Sequence, residues 1–171
     1  FLNDSLKVRL GFLLVVIRCS PTLFFIKYKH LIFSVQLSVT YPDKPFWFSL
    51  DKHLAEEEFI HKINLKRAYI IELDNSPIGI LRYNLFWDSI PFCTLLFIDF
   101  SHHKKGYGKQ LIDFWEADMK NQGFDLVMTS TQVDEDAQHF YRYLGYEDAG
   151  GLLLNSPKYK QPMELFLIKE L

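Results

Sequence analysis

Cysteine, net charge and long apolar runs are all scarce in this sequence. The 171 residues include two cysteines, Cys19 and Cys93, which are too few for a disulfide framework or a cysteine zinc site. We therefore expect no metal and a reducing, cytoplasmic setting. The most apolar run near the start, from Leu10 to Ile17, is too short to cross a bilayer, so no membrane association is expected.

The low net charge also argues against some classes of binding partner. The formal net charge is -2, which gives no general attraction to nucleic acid or to an anionic membrane. The basic residues that cluster lie in one short loop without the aromatic platform of a nucleic-acid surface, so no nucleic-acid partner is expected. Apolar content is high instead: 49% of the residues are hydrophobic and 23% are charged, which excludes a disordered chain and predicts a folded domain.

Residues 1–42 differ in composition from the rest of the chain. They carry five Lys or Arg residues and one acid, whereas the remainder contains most of the acids. Residues 1–27 show no clean hydrophobic period, and we expect residues 1–30 to be an atypical extension that is either disordered or not native coding sequence. Alternating apolar residues from Leu31 to Val39 predict a first or edge strand. The folded domain is therefore expected to span residues 31–171.

Helical periodicity recurs three times after residue 50. A helix is predicted from Asp51 to Asn64, whereas residues 41–50 contain two prolines and form a poor helix. A second helix follows Gly106 and stops at Gly123. A third begins after an N-cap at Asp134 and ends at Gly145.

Apolar runs between and after these helices predict strands. The first two runs are separated by residues 74–77, Asp-Asn-Ser-Pro, which is turn chemistry and predicts a hairpin. The third run is apolar on both faces, as in a central strand. The order of elements predicts a mixed α/β fold in layers. The predicted strands are Ala68–Leu73, Ile78–Trp87, Phe92–Ile98, Leu126–Met128, Tyr146–Leu153 and Glu164–Lys169.

A basic, glycine-containing turn joins the predicted central strand to the next helix, from Ser101 to Lys109. The start of a helix has unpaired backbone N–H groups and the positive end of the helix dipole, which together bind anions. Gly106 and Gly108 let a diphosphate approach the backbone closely, and three lysines add positive charge. On spacing alone, a tight connection between strand and helix explains this turn equally well.

Two nucleotide-binding motifs fit the turn less well. The phosphate loop of NTPases needs Ser or Thr after its lysine, but Lys109 is followed by Gln110, and the two glycines are too close together. The dinucleotide fingerprint needs a third glycine where Leu111 stands. Both motifs are therefore disfavoured.

Two separate segments give the sequence a specific resemblance. A strand, a Gln/Arg-x-x-Gly-x-Gly/Ala turn and an amphipathic helix form motif A of the GNAT superfamily of N-acetyltransferases, and Lys104 to Gly108 fill the last five places of that turn. The segment from Ala137 to Tyr146 is similar to the Ala-x-x-Phe-Tyr-x-x-x-Gly-Phe element of the same family. The two matches lie at the right distance from each other, and the resemblance covers roughly residues 51–171.

The resemblance implies a fold, a co-substrate and a reaction. The fold is a central, mostly antiparallel sheet with helices on both faces, in which two strands splay apart to form the cofactor cleft. Acetyl-CoA is the co-substrate, and an amine attacks its thioester directly in a ternary complex. Tyr141 matches the family tyrosine that protonates the departing thiolate, and a packed helix tyrosine is the alternative reading. The residues implied in cofactor binding are Phe97, Ile98, Asp99, His103, Lys104, Lys105, Gly106, Tyr107, Gly108, Lys109 and Asp134.

Two residues depart from the family pattern, and the acceptor stays open. His103 stands where the family usually has Gln or Arg, and Asp134 where many members have Asn. A small-molecule or peptide amine is expected as acceptor, and a homodimer is allowed. Asp99, His102 and Asp88 are candidates for the base that deprotonates the amine, but none is assigned. The alternative function is a catalytically inactive relative that binds a ligand or partner.

Overall fold

Seven strands and four helices make up the described part of the chain, which comprises residues 35–38 and 44–171 of a computed structural model. The strands are β1 (Val35–Ser38), β2 (Ala68–Leu73), β3 (Ser76–Phe86), β4 (Ile90–Ile98), β5 (Leu126–Gln132), β6 (Glu147–Leu152) and β7 (Glu164–Glu170). The helices are α1 (Lys44–Leu50), α2 (Glu56–Asn64), α3 (Tyr107–Asn121) and α4 (Ala137–Tyr143), and a short 3₁₀-helix (Phe100–His102) follows β4.

The strands form one sheet with the order β1-β2-β3-β4-β5-β7-β6. Neighbouring strands are antiparallel, except β4 and β5, which are parallel. A parallel pair needs a crossover connection, which α3 supplies. The predicted mixed, mostly antiparallel sheet is therefore confirmed.

Helices cover both faces of the sheet, as predicted. On one face, side chains of α1 and α2 pack against the sheet in a core that includes Trp47 and Ile80. Side chains of α3 and α4 bury a larger core on the other face, with Leu81, Trp115 and Tyr141. Ile80 and Leu81 are neighbours in β3 and enter different cores, because successive side chains of a strand point to opposite faces.

The predicted hairpin and helix stops are confirmed. Asp74 and Asn75 connect β2 to β3 with φ angles of 51° and 63°, the left-handed backbone of a two-residue hairpin turn. Gly123 follows α3 with φ of 91°, and Gly145 follows α4 with φ of 90°. Both glycines take the left-handed conformation that ends a helix.

The prediction of the first helices is wrong in two respects. Residues 44–50 form α1 despite two prolines nearby, because Pro45 lies in the first helical turn, where no backbone N–H is needed, and Trp47 is fully buried. Asp51 begins no helix; it follows α1, and α2 starts at Glu56. The predicted end of this region at Asn64 is confirmed.

The start of α4 and the bounds of five strands, β3 to β7, also differ from the predictions. Asp134 is not the N-cap of α4, since Asp136 precedes that helix and makes no side-chain cap hydrogen bond. β5 continues beyond Met128 to Gln132. The polar residues in this extension are accommodated because the hydroxyls of Thr129 and Thr131 donate to the Cys93 carbonyl and to the Glu135 carboxylate.

The described residues include no helix long and apolar enough to cross a membrane. The predicted extension of residues 1–30, and the predicted strand positions on either side of residues 35–38, lie outside the part of the chain that the structure describes.

Candidate functional site

The sheet opens between its two parallel strands. The ladder of β4 and β5 consists of two pairs, Phe92 with Met128 and Cys93 with Thr129. Beyond these pairs, residues 94–98 of β4 and 130–132 of β5 continue as strands without pairing to each other. We call this opening the β4–β5 gap. It is the splayed cleft that the resemblance predicts.

A β-bulge marks the base of the gap. Arg82 and Tyr83, which are consecutive in β3, face Leu95 and Cys93 of β4, so Thr94 is an extra residue in β4. Thr94 also directly follows the last β4–β5 pair. A bulge leaves its extra residue out of the ladder and bends the strand. The bulge and the gap therefore begin at the same residue.

The turn after β4 is held by Asp99. Its carboxylate Oδ1 accepts hydrogen bonds from the backbone N–H and the hydroxyl of Ser101, at 2.8 and 2.6 Å. These bonds lower the pKa of Asp99 below its usual range. The backbone N–H of Asp99 donates to the Ile78 carbonyl at 2.8 Å, which fixes the turn to β3. Asp99 is thus an ionised, anchored carboxylate at the mouth of the gap.

His103 folds back toward the end of β4. Its Nε2 atom lies 2.6 Å from the carbonyl oxygen of Ile98, and its ring lies 5.0 Å from that of Phe100. His102 forms a separate contact, with its Nδ1 2.8 Å from the Ser101 hydroxyl. Both imidazoles therefore help to hold this turn together.

Unpaired backbone N–H groups gather at the start of α3. No described residue accepts a hydrogen bond from the backbone N–H of residues 104–109, and Gln110 is the first to donate, to the Gly106 carbonyl at 3.1 Å. Gly106 has φ of 83°, and a Cβ added there would meet no atom within 4 Å. The backbone is therefore open to an anion at this point.

The basic side chains of the turn are exposed, and two of them have partners. Lys105 Nζ donates to the Ser101 carbonyl at 2.9 Å. Lys109 Nζ lies 2.6 Å from the Asp113 carboxylate, which raises the pKa of Lys109. Lys104 has a left-handed backbone, with φ of 58°. All three lysines lie in or beside the segment that contains the open N–H groups.

Gly108 joins the turn to α4. A Cβ built on it would lie 3.6 Å from the Phe140 ring, 3.8 Å from Ile98 and 3.9 Å from Leu96. The first turn of α3 therefore packs over the end of β4 and against the residue that precedes Tyr141. The two sequence motifs, which are separated by a helix and a strand, meet at this point.

Tyr141 lies at the base of the gap. Its side chain is buried, and Cys93 and Thr129, the last pair of the β4–β5 ladder, lie next to it. Burial raises the pKa of Tyr141 well above its ordinary value, and Cys93 adds to this rise. Burial likewise raises the pKa of the Cys93 thiol to about 12. Both groups are therefore neutral at pH 7, and the tyrosine holds a proton.

Some predicted site residues are less closely tied to the gap. Asp134 is exposed in the turn after β5, where Glu135 rather than Asp134 bonds back to that strand. Tyr107, half-buried, lies with its ring 6.1 Å from that of His102. Asp88 sits in the hairpin before β4 and Asp99 follows β4, so nine strand residues at about 3.3 Å each separate these two candidate bases.

Sequence reasoning missed three polar residues around the bulge. Asp51, Arg82 and Thr94 form a connected set of hydrogen bonds there. A signal was available for one of them, because Arg82 interrupts the apolar run of β3. Its partners could not be found without the strand register.

Comparisons with known proteins agree with this fold. The model of the acetyltransferase (GNAT) family matches residues 32–146. No curated protein sequence matches the chain significantly. Solved structures with the same fold include Ard1 from Thermoplasma volcanium, with a TM-score of 0.68 and 12% identity over 80% of this chain and 97% of that one.

Two further structures extend this likeness. The ribosomal-protein-S18-alanine N-acetyltransferase from Escherichia coli has a TM-score of 0.67 and 13% identity, over 80% of this chain and 94% of that one. Arabidopsis thaliana Naa50, in complex with the bisubstrate analogue CoA-Ac-MVNAL, has a TM-score of 0.65 and 15% identity, over 81% and 99% of the chains. At these identities the likeness shows the fold, and the predicted fold class is confirmed.

Proposed function

The chain belongs to the acetyltransferase (GNAT) family, and from this premise we propose that it transfers an acetyl group from acetyl-CoA to a primary amine. The observation that carries the proposal is the convergence of three features at the β4–β5 gap. These are the open N–H groups of residues 104–109, the end of β4 that does not pair with β5, and the buried Tyr141. Anion binding, carbonyl polarisation and proton donation each need one of them.

Acetyl-CoA would bind along the end of β4. The backbone of residues 104–109 and the nearby lysines would hold the diphosphate. Backbone groups of Phe97, Ile98 and Asp99 would contact the pantetheine arm, and a backbone N–H of β4 would donate to the acetyl carbonyl oxygen. The proposal also includes cofactor contacts of His103, whose ring folds back on the end of β4, and of Asp134, which is exposed in the turn after β5.

The reaction would be a direct attack in a ternary complex. The neutral amine nitrogen attacks the acetyl carbonyl carbon, the carbon–sulfur bond breaks, and Tyr141 donates its proton to the leaving thiolate. The amine nitrogen loses a proton in the same sequence, to a base that is not assigned. The Tyr141 phenol is protonated at neutral pH, as a proton donor must be before it acts, and it lies next to Cys93 and Thr129 at the base of the gap.

An acetyl-CoA turnover assay tests this function. CoA release is measured with a thiol reagent across small-molecule amines and short peptides with a free N-terminus; peptides are included because the S18-alanine enzyme and Naa50 share this fold. We expect amine-dependent CoA release with at least one class. If the chain binds CoA but releases none from acetyl-CoA with any amine or peptide, the result would favour the alternative function, a catalytically inactive relative that binds a ligand or partner. Absence of CoA binding would contradict the proposed cofactor site.

We also propose that residues 31–171 form the catalytic domain and that residues 1–30 are dispensable. A chain from which residues 1–27 are deleted is expected to unfold cooperatively and to bind CoA within about threefold of the full chain's affinity, because the described site lies between residues 51 and 146. A thermal melt and a CoA titration check this. Loss of cooperative unfolding would mean that the deleted segment is structural.

A further inference from the structure

A buried chain of hydrogen bonds runs from the end of α1 to the bulge in β4. Arg82 Nε donates to Asp51 Oδ2 at 2.6 Å, and Arg82 Nη1 donates to Thr94 Oγ1 at 2.8 Å. The Asp51 side chain is 1% exposed and that of Arg82 is 15% exposed. The buried ion pair of Asp51 and Arg82 is thus hydrogen-bonded to Thr94, the residue at which the bulge and the gap begin.

The hydroxyl of the bulged residue Thr94 makes two hydrogen bonds to Arg82, which faces Leu95 in the ladder. Thr94 Oγ1 accepts from the Arg82 guanidinium and donates to the Arg82 carbonyl at 3.4 Å. Arg82 is in turn fixed by Asp51, whose backbone N–H donates to the Trp47 carbonyl at 2.8 Å. Helix α1 is therefore connected to Thr94 through two side chains.

Stability alone is a weak explanation for this ion pair. Desolvation of two charges offsets much of their attraction, and well-packed apolar residues often replace buried pairs without loss of stability. Trp47, whose carbonyl accepts from the Asp51 N–H, and Ile80, two residues before Arg82 in β3, both belong to an apolar core. What apolar residues would not supply is a directed hydrogen bond to the hydroxyl of Thr94.

We propose that Asp51 and Arg82 are positioning residues that act through Thr94. They hold the bulge so that the end of β4 turns a backbone N–H toward the acetyl carbonyl of acetyl-CoA. This inference rests on the proposed function and assigns residues outside both sequence motifs to it. The same hydrogen bonds connect β4 to α1, so displacement of α1 would disturb the bulge.

Paired titrations of acetyl-CoA and CoA by calorimetry test the inference without an acceptor. The two ligands share the diphosphate and pantetheine, and only acetyl-CoA carries the carbonyl. Thr94→Val keeps the side-chain shape and removes the hydroxyl. We expect it to weaken acetyl-CoA binding about fivefold, which corresponds to about 1 kcal/mol, while CoA binding changes less than twofold. Asp51→Asn should act in the same direction, and Thr94→Ser should retain both affinities.

Glu116→Gln is the matched control. It alters another buried ion pair, in which Lys169 Nζ lies 2.5 Å from Glu116 Oε2 in the core on the opposite face, and both affinities should be unchanged. Thermal melts verify that each variant is folded. Equal weakening of both ligands, or no change in folded Thr94→Val and Asp51→Asn, would overturn the positioning role. If the unaltered chain bound neither ligand, the proposed function would be wrong, which is a separate result.

Discussion

Replacement of Gly106 by valine is expected to abolish detectable CoA binding while α3 stays folded. Gly106 immediately precedes α3, beside N–H groups that have no partner among the described residues, and a Cβ there would enter open space. A branched side chain would occupy the volume through which a diphosphate reaches the backbone. Valine also disfavours φ of 83°, so the variant will lose about 1–3 kcal/mol of stability.

The control variant Gly123→Val separates the loss of CoA binding from the loss of stability. Gly123 has φ of 91°, a Cβ there would also meet no atom within 4 Å, and it follows the opposite end of α3. Valine at either position should therefore cost similar stability, measured by thermal or chemical unfolding. CoA titrations should show binding by Gly123→Val and none by Gly106→Val. Equal CoA affinity in both folded variants would refute the diphosphate site.

Much of the fold follows from periodicity, which is a local property of the sequence. Leu111, Trp115 and Met119 recur at helical spacing, and all three are fully buried on one side of α3. The stop at Gly123 follows from a residue type that tolerates a left-handed backbone. The pattern of the basic turn is equally local, because a basic segment with two glycines directly follows an apolar strand.

The parts that sequence reasoning missed depend on tertiary structure. Helix α1 forms because burial of Trp47 outweighs the poor helical pattern of residues 44–50. The bulge at Thr94 depends on the register of β4 against β3, and the Arg82 to Asp51 contact joins residues 31 apart in the chain. No local pattern contains either of these facts, so the polar network around the gap could not be predicted.

Tyr141→Phe is expected to lower turnover about 10²- to 10⁴-fold, the usual contribution of a general acid. CoA affinity should change by less than about threefold, because the ring keeps its place between Phe140 and Tyr146, 5.2 and 5.4 Å away between ring centres. Only the hydroxyl near Cys93 and Thr129 is lost. The rate should fall, therefore, without a matching loss of cofactor binding.

A packing role for Tyr141 predicts a different result. Loss of one neutral hydrogen bond costs about 1 kcal/mol, which would appear in the melting temperature, and leaves the chemical step unchanged. The expected rate loss corresponds to at least about 2.7 kcal/mol of transition-state stabilisation. The turnover rates expected for Tyr141→Phe under the two roles therefore differ by more than measurement error.

Tyr146→Phe supplies the control for the loss of a buried phenol. Tyr146 is 3% exposed and Tyr141 is 6% exposed, but the Tyr146 hydroxyl has no hydrogen-bond partner among the described residues. Its removal should leave turnover unchanged and should preserve or raise stability, since an unpaired buried polar group is costly. Turnover is measured with the best amine of the panel, together with a thermal melt of each variant. A rate for Tyr141→Phe within about threefold of the unaltered chain would contradict the catalytic role, since a loss of about 1.4 kcal/mol of transition-state stabilisation already lowers a rate tenfold. Tyr141 would then pack the core, and the thiolate would take its proton from water or another group.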